Sequence, residues 1–138
     1  MTVAGIANVA GSALLRAADL PVLLETGPEI VTGSTRMGAA TAQKAALNML
    51  SALVGIRLGH VHDGYMVNVV ADNAKLRDRA VRIVCALSGA DIETARAALE
   101  TTGGAVKPAV LVARGRTAAE AAEDLTNSRG HLARWLNG

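Results

Sequence analysis

Hydrophobic positions change their spacing three times along the chain. Between Thr2 and Thr26, two short apolar stretches, Val3 to Ile6 and Pro21 to Leu24, flank a segment from Ser12 to Asp19 whose Leu14, Leu15 and Ala18 share one helical face. This predicts strand, helix, strand, and the unbroken Val22-Leu23-Leu24 run predicts a parallel sheet. From Gly27 a glycine- and hydroxyl-rich loop leads into a long helix. There Leu47, Leu50, Val54 and Leu58 recur at i, i+3, i+7 and i+11, and Met49, Leu53 and Ile56 widen the face, so the helix is expected to be central and buried on more than one side. A less regular connector follows, with an extended stretch expected at Val67 to Val70.

The remainder is alanine-rich and helical. Asp72 or Asn73 can cap a helix with Leu76, Ala80, Ile83, Val84 and Leu87 on its inner face, ending at Gly89. Asp91 starts a second helix with Ile92, Ala95 and Leu99 inward, stopped by Gly103-Gly104. A third covers Val106 to Ala113 with Pro108 in its first turn, and a fourth opens on the capping box Thr117 and Glu120. Leu132, Trp135 and Leu136 are expected to plug the end of the bundle. The fold class is therefore α/β, a partial parallel sheet with covering helices, followed by a small C-terminal helical bundle. Its expected division is 1–58 for the α/β part, 59–72 for the connector and 73–138 for the helical part. Two strands cannot cover their own sheet, so further strands are expected upstream.

Composition narrows the function. With 138 residues, 51% of them hydrophobic, the chain can build a core without staples, and its single cysteine, Cys85, favours a reducing, cytoplasmic setting. Fourteen basic and 12 acidic residues leave a formal charge of +2, and Tyr65 and Trp135 are the only aromatics, so no nucleic-acid partner is expected. The longest apolar region, Ala45 to Leu58, is interrupted by Asn48, Ser51 and Arg57 and is too short for a membrane span.

The loop Thr32-Gly33-Ser34-Thr35 carries the most chemistry. Free amides at a helix start, a glycine that lets the backbone approach a ligand and three hydroxyls together suit a phosphate, although the same hydroxyls also suit helix capping. Arg36 and Lys44 could add positive charge, and Glu29 could accept sugar hydroxyls. His60, His62 and Asp63, with His131, have the types but not a compelling spacing for a metal, and none is expected. Cys85 lies on the apolar face of its helix and reads as a small hydrophobe. Lys75, Arg77, Arg79 and Arg82, interleaved with Asp72 and Asp78, read as a solvated helix face.

These residues also carry a resemblance. Glu29-Ile30-Val31-Thr32-Gly33-Ser34-Thr35-Arg36-Met37, then Thr41-Ala42-Gln43-Lys44 and Leu47-Asn48-Met49-Leu50-Ser51, resemble the signature segment of bacterial N-acetylmuramic acid 6-phosphate etherases. They are also similar to the sugar-phosphate-binding half of glucokinase regulatory proteins. Ile56-Arg57-Leu58-Gly59, Met66-Val67-Asn68-Val69, Asn73-Ala74-Lys75-Leu76 and Arg82-Ile83-Val84 follow in the family's order, as do Gly103-Gly104 and Val106-Lys107. The resemblance implies a sugar isomerase (SIS) fold and a metal-free, cofactor-free carbon–oxygen lyase. Such an enzyme cleaves the lactyl ether of N-acetylmuramic acid 6-phosphate to N-acetylglucosamine 6-phosphate and D-lactate in cell-wall recycling. It further implies that Glu29, Thr32, Gly33, Ser34, Thr35, Arg36 and Lys44 contribute to a phosphosugar site. The family's acid/base glutamates precede the matched region, so the chain resembles only the C-terminal half, assigns no catalytic residue and is expected to be inactive alone. Gly38 stands where the family usually has lysine, Ala40 where it has glycine, and His60 and His62 where it has lysine and tyrosine. The alternatives are a non-catalytic phosphosugar-binding or regulatory module and a self-associating half domain. The expected partners are a phosphosugar and either a second copy, giving a homodimer, or the missing N-terminal half.

Overall fold

In the computed structural model, which describes residues 1–136, the chain forms two compact units, residues 1–53 and the chain from Val54 onward. The first holds β1 (Ala4–Ala7), α1 (Ala13–Ala17) and β2 (Leu20–Leu23). The strands are parallel, with Ala4 opposite Leu20 and Ala7 opposite Leu23, as the strand, helix, strand pattern predicts. Ser12 caps α1 by accepting the Leu15 N–H at 3.4 Å. Gly5 is buried where α1 returns across β1: a Cβ there would stand 2.7 Å from the Cβ of Ala18. The absence of a side chain is what lets helix and strand touch.

Helix α2 (Ala39–Arg57) forms where its apolar spacing predicts, but the expectation that it is buried is not met. None of its residues is buried, and Leu47, Met49, Leu50, Leu53, Val54 and Ile56 are all exposed. The large apolar side chains occupy roughly half of its circumference, a face that demands cover which the described residues do not supply. The strand β2 is likewise exposed along its length.

The second unit is organised around its helices. Beyond Gly59, β3 (Val61–His62) and β4 (Tyr65–Met66) form an antiparallel hairpin, Val61 opposite Met66 and His62 opposite Tyr65. Its two-residue turn is Asp63-Gly64, both with positive φ (46° and 76°), the combination that matches the twist of paired strands. Within Val67 to Val70, expected to be extended, Val70 makes one isolated antiparallel bridge to Ala105, and Val67 is buried.

The four predicted helices are present as α3 (Ala74–Ser88), α4 (Ile92–Thr101), α5 (Val106–Ala113) and α6 (Ala118–Asn127), followed by the short α7 (Ala133–Leu136). Their ends obey local chemistry. Asn73 and Asp91 accept the N–H groups of Leu76 and Thr94, Gly89 closes α3 in the left-handed region at φ 75°, and Thr117 and Glu120 form the complete capping box. Helix α5 packs against α3, α4 and α6, and its Val106, Ala109, Val110 and Leu111 are buried. Val84 of α3, Leu99 of α4 and Leu132 complete the centre, with Trp135 and Leu136 packed partly buried against it. Ile92, expected inward, is 59% exposed. It is the first residue of α4, so its side chain lies past the end of the stripe that Ala95 and Leu99 bury. Cys85 is partly buried against the core, as a small hydrophobe would be, and the arginine- and lysine-rich face of α3 is exposed.

Candidate functional site

In a parallel sheet, ligands gather where the strands end, because loops leave there and helices begin there. Here β1 ends at Ala7 and β2 at Leu23, and the segment from Leu24 to Gly38 joins the end of β2 to α2. All seven residues of the expected site lie in this loop or on α2. The Ser34 N–H donates to the Val31 carbonyl at 2.9 Å, closing a turn in which Gly33 adopts φ 77°. The Arg36 Nε donates to the Ser34 Oγ at 3.4 Å, so a cation and a hydroxyl sit side by side. Thr32, Thr35 and Arg36 are exposed and Ser34 is half-buried. Lys44 is exposed on α2, about 100° round the helix from Gln43.

Glu29 behaves differently from the expectation. Its Oε2 accepts the Gly38 N–H at 2.8 Å and its Oε1 accepts the Ala39 N–H at 3.0 Å. The amides that open α2, expected to be free, are therefore held by the chain's own carboxylate, placed against the positive end of the helix dipole. The hydrogen bonds from Ala39 and then Gly38 hold the Glu29 carboxyl below its ordinary pKa of 4.5, and partial desolvation opposes them only weakly. Gly38 makes the close fit possible, since a Cβ there would lie 3.2 Å from the Glu29 Oε2. The hydroxyls and Arg36 thus stay available to a ligand, while this part of the helix terminus is already occupied.

Two residues that sequence reasoning missed complete the geometry. Asn8, the first residue after β1, donates from Nδ2 to the Leu24 carbonyl at 2.9 Å and accepts at Oδ1 from the Gln43 Nε2 at 2.5 Å. One amide side chain thereby ties the ends of both strands to α2. The available signal was a polar amide at the end of an apolar strand, which by itself is indistinguishable from a turn residue.

The remaining candidates lie in the second unit. His60 accepts the N–H groups of Val67 and Asn68 through its carbonyl, His62 lies in β3, Asp63 is in the hairpin turn, and His131 abuts Gly59. Among the described residues, no three His, Cys, Asp or Glu side chains come together in a way that could hold a metal ion. No helix among them is long and apolar enough to cross a membrane.

No family model matches the chain. Among curated proteins, it is 52% identical over 128 residues to the N-acetylmuramic acid 6-phosphate etherase of Deinococcus radiodurans, covering 92% of this chain and 42% of that protein. The etherase of Symbiobacterium thermophilum is 50% identical over 106 residues, 77% of this chain and 35% of the relative. That of Pectobacterium atrosepticum is 44% identical over 128 residues, again 92% and 42%. The chain belongs to the N-acetylmuramic acid 6-phosphate etherase family. It spans about two-fifths or less of the length of these relatives.

In this etherase-family chain the Glu29 contact sets a pH dependence. Because folding lowers the Glu29 pKa, the contact contributes fully above the ordinary carboxylate value of 4.5 and is lost as pH falls through the lower folded value. Asp91 and Glu120 shift in the same direction through their own caps, so the readout must be local. The protection of the Gly38 and Ala39 amides, read by nuclear magnetic resonance as their exchange rate relative to the intrinsic rate at each pH, should fall as the sample is acidified below pH 4.5. Glu29→Gln should abolish that acid-dependent loss of protection; an unchanged acid profile in the variant would mean that another group protects these amides.

Proposed function

We propose that this chain is the phosphosugar-binding portion of an N-acetylmuramic acid 6-phosphate etherase and that it gains lyase activity only with the rest of the SIS-type domain. In this reading the phosphate is held by the hydroxyls of Thr32, Ser34 and Thr35 and by Arg36, with Lys44 adding charge from α2. Gly33 supplies the close backbone approach. Glu29 holds the loop and the first turn of α2 in register. The reaction is cleavage of the lactyl ether to N-acetylglucosamine 6-phosphate and D-lactate, in amino-sugar recycling within the cytoplasm. Removing a carbon-bound proton requires positioned acid/base carboxylates, which this reading assigns to glutamates beyond the chain.

The observation that carries the reading is the identity of 44–52% to proteins of that name. The loop between β2 and α2, where Arg36 and Ser34 are paired, is a suitable place for an anion. A partner follows from α2, whose leucines and methionine are exposed along one broad face. Apolar surface of that extent favours association. In this reading the occupant is the remainder of the etherase domain, with a second copy of the chain as the alternative.

Calorimetric titration with N-acetylglucosamine 6-phosphate tests the proposal, with inorganic phosphate as the non-sugar control. Binding is expected, and Ser34→Ala and Thr35→Ala should each weaken it about tenfold, the size expected for losing a hydrogen bond to a charged group. Absence of heat from a folded sample would overturn the claim that this chain binds phosphosugar by itself.

A further inference from the structure

We infer that Asn8 is a positioning residue: through its two hydrogen bonds it sets where α2 begins and thereby holds the Glu29 to Arg36 loop in its binding arrangement. Ala39 and Gln43 are one helical turn apart and so lie on the same face of α2. At Ala39 the helix is held end-on, its backbone N–H donating to Glu29 from the loop; one turn later it is held from the side, Gln43 donating to Asn8 at the end of β1. The first turn of the helix is therefore gripped at both ends, and the residues between Glu29 and Gly38 are strung from one of the grips.

The chemistry of the Asn8 amide makes the arrangement specific. Its nitrogen is used by the Leu24 carbonyl, just past β2, and its oxygen by Gln43. Only a side chain with a donor and an acceptor on one short arm satisfies both. Aspartate would keep the acceptor for Gln43 and lose the donor to Leu24. Alanine would lose both. Leu24 also donates its own N–H to the Ala7 carbonyl at 2.9 Å, so the strand end itself is secured independently of the side chain. Loss of the Asn8 amide should accordingly loosen α2 and the loop rather than the sheet.

The role assigned to the loop as a ligand site rests on the phosphosugar reading above, whereas the grip on α2 does not. The test keeps the two apart by measuring amide exchange and ligand affinity in the whole chain and in the variants Asn8→Ala, Asn8→Asp, Gln43→Ala and the double alanine variant. Asn8→Ala and Gln43→Ala should each speed exchange at Gly38 and Ala39 about fivefold, the consequence of one lost hydrogen bond. The double variant should add little to either single one, and Asn8→Asp should restore most of the protection. Amides within β1 and β2 should be unchanged. Affinity for N-acetylglucosamine 6-phosphate should fall in the same order.

Unchanged exchange at Gly38 and Ala39, or single effects that add in full in the double variant, would overturn the inference even if the ligand binds. Accelerated loss of the β1 and β2 amides to the same extent would also overturn it, since the role would then be general stability. If exchange responds as expected and the unsubstituted chain binds no phosphosugar, the grip on α2 stands and the phosphosugar reading falls.

Discussion

Gly59→Ala should lower the thermal midpoint of the helical unit by about 10–20 °C, corresponding to a loss of about 3 kcal/mol in a unit of this size. Two costs add. Gly59 lies at φ 67°, a region that costs an ordinary residue about 1–2 kcal/mol. It is also buried, and a Cβ there would stand 2.8 Å from the Gly130 carbonyl oxygen and 3.1 Å from the Cγ of His131. The nearest obstacle is backbone rather than the end of a flexible side chain, so it cannot swing aside, and crowding of this kind costs about 1–3 kcal/mol. Gly64 supplies the control. Its φ is 76°, yet nothing lies within 4 Å of the position its Cβ would take. Gly64→Ala should therefore show the conformational cost alone, and its midpoint should fall by about half as much. Equal shifts for the two variants, followed by circular dichroism, would mean that the contact between Gly59 and Gly130 contributes nothing.

Leu111→Ala should cost about 3 kcal/mol, within the range of roughly 2–5 kcal/mol for emptying a packed leucine site. Leu111 is 2% exposed on α5, the helix that touches α3, α4 and α6, so the cavity would open at the meeting point of the bundle. Leu50, at 49% exposure on α2, offers the comparison within the same chain. Leu50→Ala should change stability by no more than about 0.5 kcal/mol, as for a surface position. Urea unfolding followed by the fluorescence of Trp135, which packs against the core of the bundle, reports on Leu111→Ala, and circular dichroism reports on α2 for Leu50→Ala. If Leu50→Ala proves as costly as Leu111→Ala, α2 is covered in solution.

Local chemistry explains why the helical unit was so readable. Asn73, Asp91 and the pair Thr117 and Glu120 act within three residues of themselves, so their caps depend on little beyond the neighbouring sequence. The same holds for Gly89 at the end of α3 and Pro108 in the first turn of α5. The hairpin was equally local, since Asp63-Gly64 is a strong turn dipeptide, but its two-residue strands are too short to show alternation. The candidate site was legible only as a set of residue types. Thr32 to Arg36 announced a loop that suits an anion, but no spacing indicates which amides are free. The bonds from Gly38 and Ala39 to Glu29 span nine and ten residues, and the bond from Gln43 to Asn8 spans 35.

By itself, then, the sequence determined the order of β1, α1, β2 and α2 and of the helices α3 to α6, the caps of those helices, the parallel β1 and β2 pair and the membership in the etherase family, but not the β3 and β4 hairpin. The helices and their caps follow from periodicity and from contacts made within a turn or two, and the family follows from the identities of the motif residues. Tertiary structure alone decided that Glu29 occupies the start of α2, that Asn8 joins two strand ends to that helix, and that α2 keeps its apolar residues exposed. Each of these depends on which distant groups meet, and burial depends on whether enough neighbouring surface exists to cover a face. A hydrophobic pattern records the demand for such a surface; it does not say which part of the molecule supplies it.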